Sequence, residues 1–480
     1  MKNTNIFIGL LFLVLFQIPT HAQVGIGTTT PDASSILDIE STTQGILTPR
    51  MTTAQRIAIA SPAEGLMVFD IDEGSFFYFD GTVWGELEAS VNRDNYKLVK
   101  SAADLADELT AGGGSEYLLT SNFMYEINGT ITLAAPINLN GAYLIGEDTN
   151  EDILVRVGGT MFQGATGGSI RGLTLTAPGG TVFNLTGGAA RAERFVFRDC
   201  VVASSASVGS ISSFGLVFCS IVQFVDNTAG ITYGGSDQVL LTSLGWGSDN
   251  GGTYETFVGD FDIITKQGGF SKVTTADYAI DITGITSLTD GGLRIVDFYG
   301  GGNYINGTSP YAGHNFPREW DVNSPGIPVE TDGEAKGSFC FDGTLTTGFS
   351  QTISNDTPVE VQGTGSFDAT SLFRFTSTGG NNELVYDGTK ARSFLVNASM
   401  SIRVTSAAGF FYAFVIAKNG VLIEESNAVV RIDNNNQIQN VSLNTDVDMV
   451  NGDAIQIYVQ RLIGTGSNTL AVFSENLSIK

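Results

Sequence analysis

The spacing of apolar and polar residues divides the chain into three stretches after an apolar start. Residues 23–90 hold a few short alternating segments, residues 91–334 hold brief apolar runs that recur at an interval, and residues 335–480 hold longer alternating runs. Alternation with a period of two is typical of β-strands. The pattern predicts an all-β protein with a small N-terminal module and two larger domains.

The middle stretch repeats on the scale of a coil. Its first apolar segments follow one another at steps of 21 to 23 residues, and the set comprises residues 173–175, 195–197, 216–218, 239–241, 261–264 and 293–296. A second set occupies residues 182–187, 279–284 and 304–308. Several short strands per period predict a parallel β-helix-like domain over residues 91–334. A helix-like segment, 102–109, offers Leu105 and Leu109 to cover its open end. The alternative is a β-sandwich, whose strands would recur every ~8–12 residues.

The last stretch, residues 335–480, predicts an antiparallel jelly-roll head. Its alternating segments are residues 394–404, 410–418, 421–423, 428–432, 438–443, 454–461 and 469–479. Residues 418–420, Lys-Asn-Gly, predict a tight hairpin between two of them. A single head would expose apolar rings such as Phe410, Phe411, Tyr412 and Phe414, which favours a homotrimer.

The first 22 residues have the pattern of a secretory signal peptide. Lys2 precedes an apolar run over residues 6–18, and Ala22 suits the position before cleavage. The run is shorter than the ~20 apolar residues of a membrane span. We therefore expect a secreted protein, extracellular or at the cell surface, without membrane insertion. In the module over residues 23–90, we expect a helix at 53–60 and strands at 65–70 and 76–81.

Charge and histidine content exclude several functions. The 480-residue chain has 24 Lys and Arg against 50 Asp and Glu, a net charge of −26, which repels nucleic-acid backbones. Of two histidines, His21 lies in the predicted signal peptide, so any Ser-His-Asp or Cys-His mechanism would depend on His314. Zinc sites with several His ligands are excluded. Phosphate-loop, Gly-x-Ser-x-Gly and His-Glu-x-x-His motifs are absent, and we predict no metal site and no cofactor.

The three cysteines are too few for a disulfide framework. Cys200 and Cys219 lie 19 residues apart in similar apolar contexts, and Cys340 stands alone. The pair fits buried thiols in stacked coils. A disulfide between coils is the alternative in an oxidising compartment.

Residues 24–84 resemble a module of exported proteins from Bacteroidetes-type bacteria. The matching motifs are VGIGTTTP at 24–31, LDI at 37–39, GILTPRMT at 45–52, QR at 55–56, PAEGL at 62–66 and DGTVW at 80–84. In such proteins the module follows a signal peptide and precedes fibre-like or repetitive regions. The resemblance implies export and a surface or fibre context, and it implies no chemistry.

The rest of the chain resembles phage fibre-like proteins. LVKSAADL at 98–105 opens a stretch similar to the β-helical part of phage structural proteins. The last region is similar to trimeric jelly-roll heads, whose topology is that of complement C1q and tumour necrosis factor. Its matching motifs are YDGTKAR at 386–392, IAKNG at 416–420, NVSL at 440–443, VNGD at 450–453 and QIYV at 456–459. A virion protein needs no signal peptide, so the resemblance favours a cell-encoded, exported relative.

Carboxylates are the plentiful chemical group. A cleft of Asp and Glu on stacked coils could supply the general acid and base of a polysaccharide depolymerase, a glycoside hydrolase or lyase. The most crowded candidates are Asp226, Asp237, Asp249, Asp260 and Asp262. No spacing forces two of them together, and a solvated acidic face is the alternative.

Aromatic residues supply the candidate ligand contacts. Trp246 follows a strand and offers either a platform for a sugar ring or a buried core residue. Residues 299–320 form the longest stretch without strand periodicity, and such loops often bind ligands. Its candidate contacts are Tyr304, Tyr311, His314 and Trp320, with a loop that covers the last coil as the alternative.

The first hypothesis is a non-enzymatic, fibre-like surface or adhesion protein. The β-helix would be its stalk and the trimeric jelly roll its head, which would contact a glycan or another surface. No catalytic residue is assigned. A β-helical depolymerase and a matrix component without a ligand remain the alternatives.

Overall fold

A computed structural model describes residues 23–87, 93–274, 276–341, 347–362, 367–377, 383–406 and 409–480. The predicted signal peptide, residues 1–22 with His21, lies outside the described residues. The chain divides into two compact units, Met1–Arg93 and Asp94–Lys480. Within the described residues, no helix has the length and apolar character that a membrane crossing requires.

The described part of the N-terminal unit has six short strands and one short helix. They are β1 (Val24–Ile26), β2 (Leu37–Ile39), β3 (Arg50–Met51), α1 (Thr53–Ile57), β4 (Met67–Asp70), β5 (Ser75–Phe79) and β6 (Trp84–Glu86). Strands β1 and β2 pair in parallel, and β3 to β6 form a second sheet. Helix α1 begins after Thr52, whose hydroxyl accepts from the Gln55 N–H while the Gln55 side chain accepts from the Thr52 N–H. It ends at Ile57, earlier than predicted.

A single buried ion pair organises this unit. Arg56 Nε lies 2.8 Å from Asp70 Oδ2, and the guanidinium carbon lies 3.8 Å from the centroid of the Phe77 ring. Many other apolar side chains remain exposed, among them Val24, Ile26, Ile36, Leu37, Ile46, Leu47, Ile57 and Val83. The unit is too small to bury its own apolar surface.

Strands β7 to β27 pair in parallel and wind into a solenoid of about nine turns. The elements are β7 (Tyr96–Val99), α2 (Ala106–Ala111), β8 (Tyr117–Leu118), β9 (Met124–Ile127), β10 (Thr130–Thr132), β11 (Ile137–Asn138), β12 (Tyr143–Ile145), β13 (Ile153–Val155), β14 (Gly159–Gly164), β15 (Gly168–Arg171), β16 (Thr174–Thr176), β17 (Gly180–Thr186), β18 (Arg194–Ala203), β19 (Ser207–Ser212), β20 (Leu216–Val225), β21 (Ile231–Gly234), β22 (Gln238–Trp246), β23 (Glu255–Lys272), β24 (Tyr278–Arg294), β25 (Asp297–Tyr299), β26 (Asn303–Asn306) and β27 (Trp320–Asn323). Parallel pairing confirms the β-helix and makes the sandwich alternative wrong.

The predicted period agrees with the stacking of the middle coils. Residues 195–197 stack on 217–219, and residues 216–218 stack on 238–240, so each of these steps is 22 residues long. The second set forms another column through Phe183, Ile231, Ile280 and Ile305. Other predicted steps are wrong. Residues 195–197 stack on strand β15 and not on residues 173–175, and residues 239–241 stack on 264–266 and not on residues 261–264. The ten-residue strand β18 pairs with two strands of the coil before it. Its first half pairs with β15, and its second half pairs with β16, where the prediction had placed the first half.

The core of the solenoid is a continuous apolar column. Inward residues are almost wholly buried, from Val99 in the first coil to Val322 in the last. Leu105 lies in this core at the end of a 3-10 turn, and Leu109 of α2 packs against it. The helix therefore covers the first coil, as the sequence predicts.

The head is an antiparallel two-sheet jelly roll, as predicted. Its strands are β28 (Lys336–Phe341), β29 (Phe349–Ser354), β30 (Val359–Glu360), β31 (Phe367–Phe373), β32 (Phe375–Thr376), β33 (Leu384–Tyr386), β34 (Arg392–Thr405), β35 (Phe410–Lys418), β36 (Val421–Leu422), β37 (Ala428–Ile432), β38 (Ile438–Met449), β39 (Ala454–Arg461) and β40 (Ser467–Ile479). One sheet contains β28, β29, β31, β34, β38 and β40, and the other contains the remaining strands. Asn419 and Gly420 both have positive φ, 52° and 76°, which forms the predicted two-residue hairpin.

The rings expected on an exposed face of the head lie elsewhere. Tyr412 and Phe414 are fully buried between the sheets, and Phe410 packs against the same core. Phe411, one position out of phase, is half-buried on the outer face. The prediction that all four rings are exposed is wrong, because alternation sends alternate residues of β35 into the core.

Candidate functional site

Trp246 belongs to the solenoid core. Its side chain is 1% exposed, and its ring stacks on Tyr254 with centroids 4.5 Å apart. Phe224 packs against both rings, at 5.9 and 5.3 Å. A ring that is covered on its faces cannot stack on a sugar, so the structure favours the interpretation of Trp246 as a buried core residue.

The segment 299–320 closes the last coil and contacts the head. Within this segment, the buried rings of Phe316 and Trp320 pack together, with centroids 5.1 Å apart. The Tyr311 hydroxyl donates to Asp387 Oδ2 at 2.6 Å, and the His314 ring stacks on Phe373 at 4.0 Å. Three of the predicted contact residues, Tyr311, His314 and Trp320, therefore meet at the junction between solenoid and head.

Arg374 is the centre of this junction. Its side chain is fully buried, and its Nη2 donates to the Trp320 carbonyl oxygen at 2.7 Å. Its Nε lies 3.5 Å from Asp332 Oδ1. The guanidinium carbon lies 5.1 Å from the centroid of the Phe373 ring. One cation from the head thus holds the last strand of the solenoid.

Asp332, which lies beside Arg374, also contacts a second segment of the head. Its Oδ2 accepts from the Thr389 N–H, the Thr389 hydroxyl and the Lys390 N–H, each at 2.8 to 2.9 Å. Arg318 donates to Asp387 at 2.8 Å, and Lys390 pairs with Asp321 at 2.9 Å. Residues of the sequence motif at 386–392 therefore make many of the contacts between the head and the end of the solenoid.

These head partners could not be found from sequence spacing. Asp387 lies 76 residues from Tyr311, and Arg374 lies 54 residues from Trp320. The only signal is that a charged Arg374 stands between two Phe residues. Contacts of this kind depend on the tertiary arrangement of two separately patterned domains.

His314 lies in the junction, close to Glu330. Burial, with the charges of Lys336 and Arg374, lowers the pKa of its imidazole, which keeps the ring neutral. Its Nδ1 lies 4.0 Å from Glu330 Oε1, and burial raises the pKa of that carboxyl. Glu330 accepts the backbone N–H groups of Asn315 and Phe316, at 2.8 and 2.9 Å. The pair holds the loop in place.

Tyr304 lies apart from the other loop candidates, beside an open groove. The groove has a volume of about 410 Å³, and its lining includes Tyr278, Asn303, Tyr304, Asn306, Asn315 and Pro328. The Tyr304 hydroxyl accepts from the Gly301 N–H at 3.2 Å, which leaves its own proton available. Asn306 Nδ2 donates to Asp281 at 3.0 Å, which directs the amide oxygen away from that carboxylate. Neutral amides, hydroxyls and rings suit a neutral polyhydroxylated ligand.

The acidic candidates are spread over the turns. Asp237 and Asp260 both bind Arg191, at 3.1 and 2.8 Å, so these two are held in one ion-pair network across the coils. Asp226 accepts from the Ser204 hydroxyl. Asp249 and Asp262 are exposed, Asp249 in a turn and Asp262 in strand β23. Among the described residues, no group of three or more His, Cys, Asp or Glu could hold a metal ion.

The three cysteines are free thiols in the described structure. Cys200 and Cys219 are buried in the solenoid, and burial raises the pKa of each thiol to about 12. Cys340 is half-buried in the head. The structure therefore favours buried thiols over a disulfide between coils.

Comparison with known proteins gives partial similarities. Residues 25–98 match a family described as a phage tail like trimerisation region. No curated protein matches the sequence.

Three solved structures are similar in parts of their fold. One is the enzymatically active domain of tailspike protein 4 from bacteriophage CBA120, with 12% identity over 90% of this chain and 77% of that one, and a TM-score of 0.25. Another is the Eiger TNF protein of S. frugiperda, with 14% identity over 31% and 93% and a TM-score of 0.20. The third is murine APRIL, with 6% identity over 26% and 98% and a TM-score of 0.17. The N-terminal segment thus resembles a phage-tail-like trimerisation region, and it precedes a parallel β-solenoid and a jelly-roll head.

Proposed function

We propose that the protein is an exported, fibre-like structural protein that forms a homotrimer, and that its head and the last solenoid coils contact a glycan or another surface. The observation that carries the proposal is the match of residues 25–98 to a trimerisation region. Export rests on the pattern of residues 1–22. The solenoid is the stiff element, because its strands hydrogen-bond from coil to coil without interruption.

Two apolar surfaces support assembly from several copies. In the N-terminal unit, Ile46 and Leu47 are among the most exposed apolar side chains. In the head, one outer face includes the apolar residues Ala413, Val415, Leu422, Val429 and Leu462, together with Glu424, Asn427 and Gln460. The outer face of the opposite sheet is polar there, since Ser399 lies between Ser442 and Asn476. Such an asymmetry is expected when only one face meets a partner copy.

The first prediction concerns mass in solution. Light scattering of residues 23–480 is expected to give three times the mass of one chain. Leu47→Asp and Val429→Asp each place a charge on one of the apolar surfaces, and the variant that dissociates the trimer identifies the surface that holds it. Ser399→Asp, on the polar face of the head, is the matched control and is expected to leave the mass unchanged. A monomeric wild-type protein would refute the proposal.

The second prediction concerns the groove beside Tyr304. We expect the trimer to be retained on a subset of an array of neutral glycans, and Tyr304→Ala to weaken binding about tenfold, which corresponds to about 1.4 kcal/mol. Tyr143, half exposed on an early coil, provides the control variant Tyr143→Ala. Equal binding by wild type and Tyr304→Ala would move the contact site elsewhere, and no retention at all would remove the glycan from the proposal.

A further inference from the structure

An ion pair is enclosed in the middle of the solenoid. Lys266 Nζ lies 2.9 Å from Glu255 Oε1, and the two side chains are 2% and 0% exposed. Both residues belong to β23, eleven positions apart, and they face each other across the interior of one coil. The pair takes no part in the junction or in the groove.

The layers above and below the pair are aliphatic. Glu255 stacks between Ile231 and Ile280, one coil on either side. Lys266 stacks between Leu241 and Leu293 in the same way. A charged layer thus replaces an apolar one at a single level of the column, where water has no access and ions are poorly solvated.

Aromatic rings close the remaining side. Lys266 Nζ lies 4.9 Å from the centroid of the Tyr254 ring, which stacks on Trp246. The Tyr254 hydroxyl lies beside the Glu255 carboxyl, and Oε2 of that carboxyl has no hydrogen-bond partner among the described residues. Burial raises the pKa of Glu255 and of the Tyr254 hydroxyl, so this phenol stays protonated. A buried ion pair is stabilising only when its remaining polar atoms also find partners, and Oε2 of Glu255 has none among the described residues.

We propose that Lys266 and Glu255 are a site of covalent modification, joined by an intramolecular isopeptide bond. Transfer of one proton from Nζ to the carboxyl group, across their 2.9 Å contact, would leave an amine and a carboxylic acid held together in a dry, fixed site, which suits condensation.

The reaction needs no further reactant. The lone pair of Nζ attacks Cδ of Glu255, and a C–N bond forms while the carbonyl electron pair moves to oxygen. The tetrahedral intermediate then expels the hydroxyl group, which leaves as water with a proton from the nitrogen. The Tyr254 hydroxyl is placed to donate to the oxygen that gains charge. The product is one amide and one water, with no change in oxidation state.

The chain contains its own control for this chemistry. Lys97 and Glu108 are also eleven positions apart and also in contact, with Nζ 2.8 Å from Oε2. The Lys97 side chain, however, is 26% exposed, so water reaches the amine and the pair does not lie in a dry site. We therefore expect an amide at Lys266 and an ordinary ion pair at Lys97.

The test is a peptide map of the full chain, unfolded in guanidinium chloride and digested with trypsin and an Asp-specific protease. With the amide in place, trypsin does not cut after Lys266, and fragments 249–259 and 262–272 remain joined, about 18 Da lighter than their sum because one water is lost. Cleavage after Lys97 is expected to be complete. Lys266→Arg keeps the charge but not the nucleophile, and is expected to release fragment 249–259 on its own, with trypsin cutting after position 266.

The proposal fails if wild-type protein gives separate fragments with trypsin cleavage after Lys266. It also fails if the joined species persists in Lys266→Arg, because the link would then involve other residues. The result is independent of the trimer and of any glycan, so failure of the proposed function leaves it unaffected.

Discussion

Replacing Arg374 with methionine is expected to loosen the junction between solenoid and head by about 3–5 kcal/mol, the usual cost of removing one partner from a buried charged network. The change removes the donor to the Trp320 carbonyl oxygen and the cation beside Asp332 while it keeps most of the apolar stem. Hydrogen exchange measured by mass spectrometry is expected to speed up in β27, in residues 299–320 and in residues 384–392, and to stay unchanged in the early coils.

The matched control is Arg431→Met in the same head. Arg431 pairs with Asp433 at 2.9 Å, but both side chains are more than half exposed. Exposed pairs contribute about 0–1 kcal/mol, so exchange across the junction is expected to stay at the wild-type rate. If Arg374→Met and Arg431→Met behave alike, the buried network does not hold the two domains together.

The second large effect is a loss of stability of the head at alkaline pH, which Glu475→Gln is expected to remove. Glu475 lies on the inner side of β40, 2% exposed, and neither carboxyl oxygen has a hydrogen-bond partner among the described residues. Burial, with repulsion from Glu360, raises the pKa of this carboxyl from 4.5 to about 8. Glu360 itself has a raised pKa, because it is buried and lies near Glu383.

The sign of the effect follows from proton binding. Between pH 4.5 and about 8 the folded head holds a proton on Glu475 that the unfolded chain has released, so stability falls as the pH rises through that range. The loss is on the order of 3–5 kcal/mol at pH 9. We expect Glu475→Gln to flatten this dependence, because glutamine cannot ionise.

The measurement compares the slope of stability with pH, since the amide also changes the hydrogen bonding at every pH. Hydrogen exchange of the backbone amides in β34 and β40 is measured at pH 5, 7 and 9. After correction for the intrinsic exchange rates at each pH, it gives the free energy of opening of these strands. Glu425→Gln, at an exposed position of the same head, is the control and is expected to keep the wild-type slope. An equal slope in Glu475→Gln and wild type would show that Glu475 is ionised in the folded head.

The sequence by itself determined the elements and the fold class. Alternation placed β35, β37 and β39 of the head at their observed bounds, and Asn419-Gly420 determined the hairpin, because both signals are local in the chain. The period of about 22 residues determined the stacking of β18, β20 and β22, because each coil must bury its apolar face against the next.

Only the tertiary structure decided which side chains meet. It placed Tyr311 and His314 against the head and left Tyr304, in strand β26, beside a groove, although the sequence predicts one loop for all three. It also paired Lys266 with Glu255 at one level of an apolar column, although nothing in their local sequence marks them as buried. Periodicity reports which face of a strand a residue occupies. It carries no information on what lies opposite, because that depends on how coils and sheets pack across tens of residues.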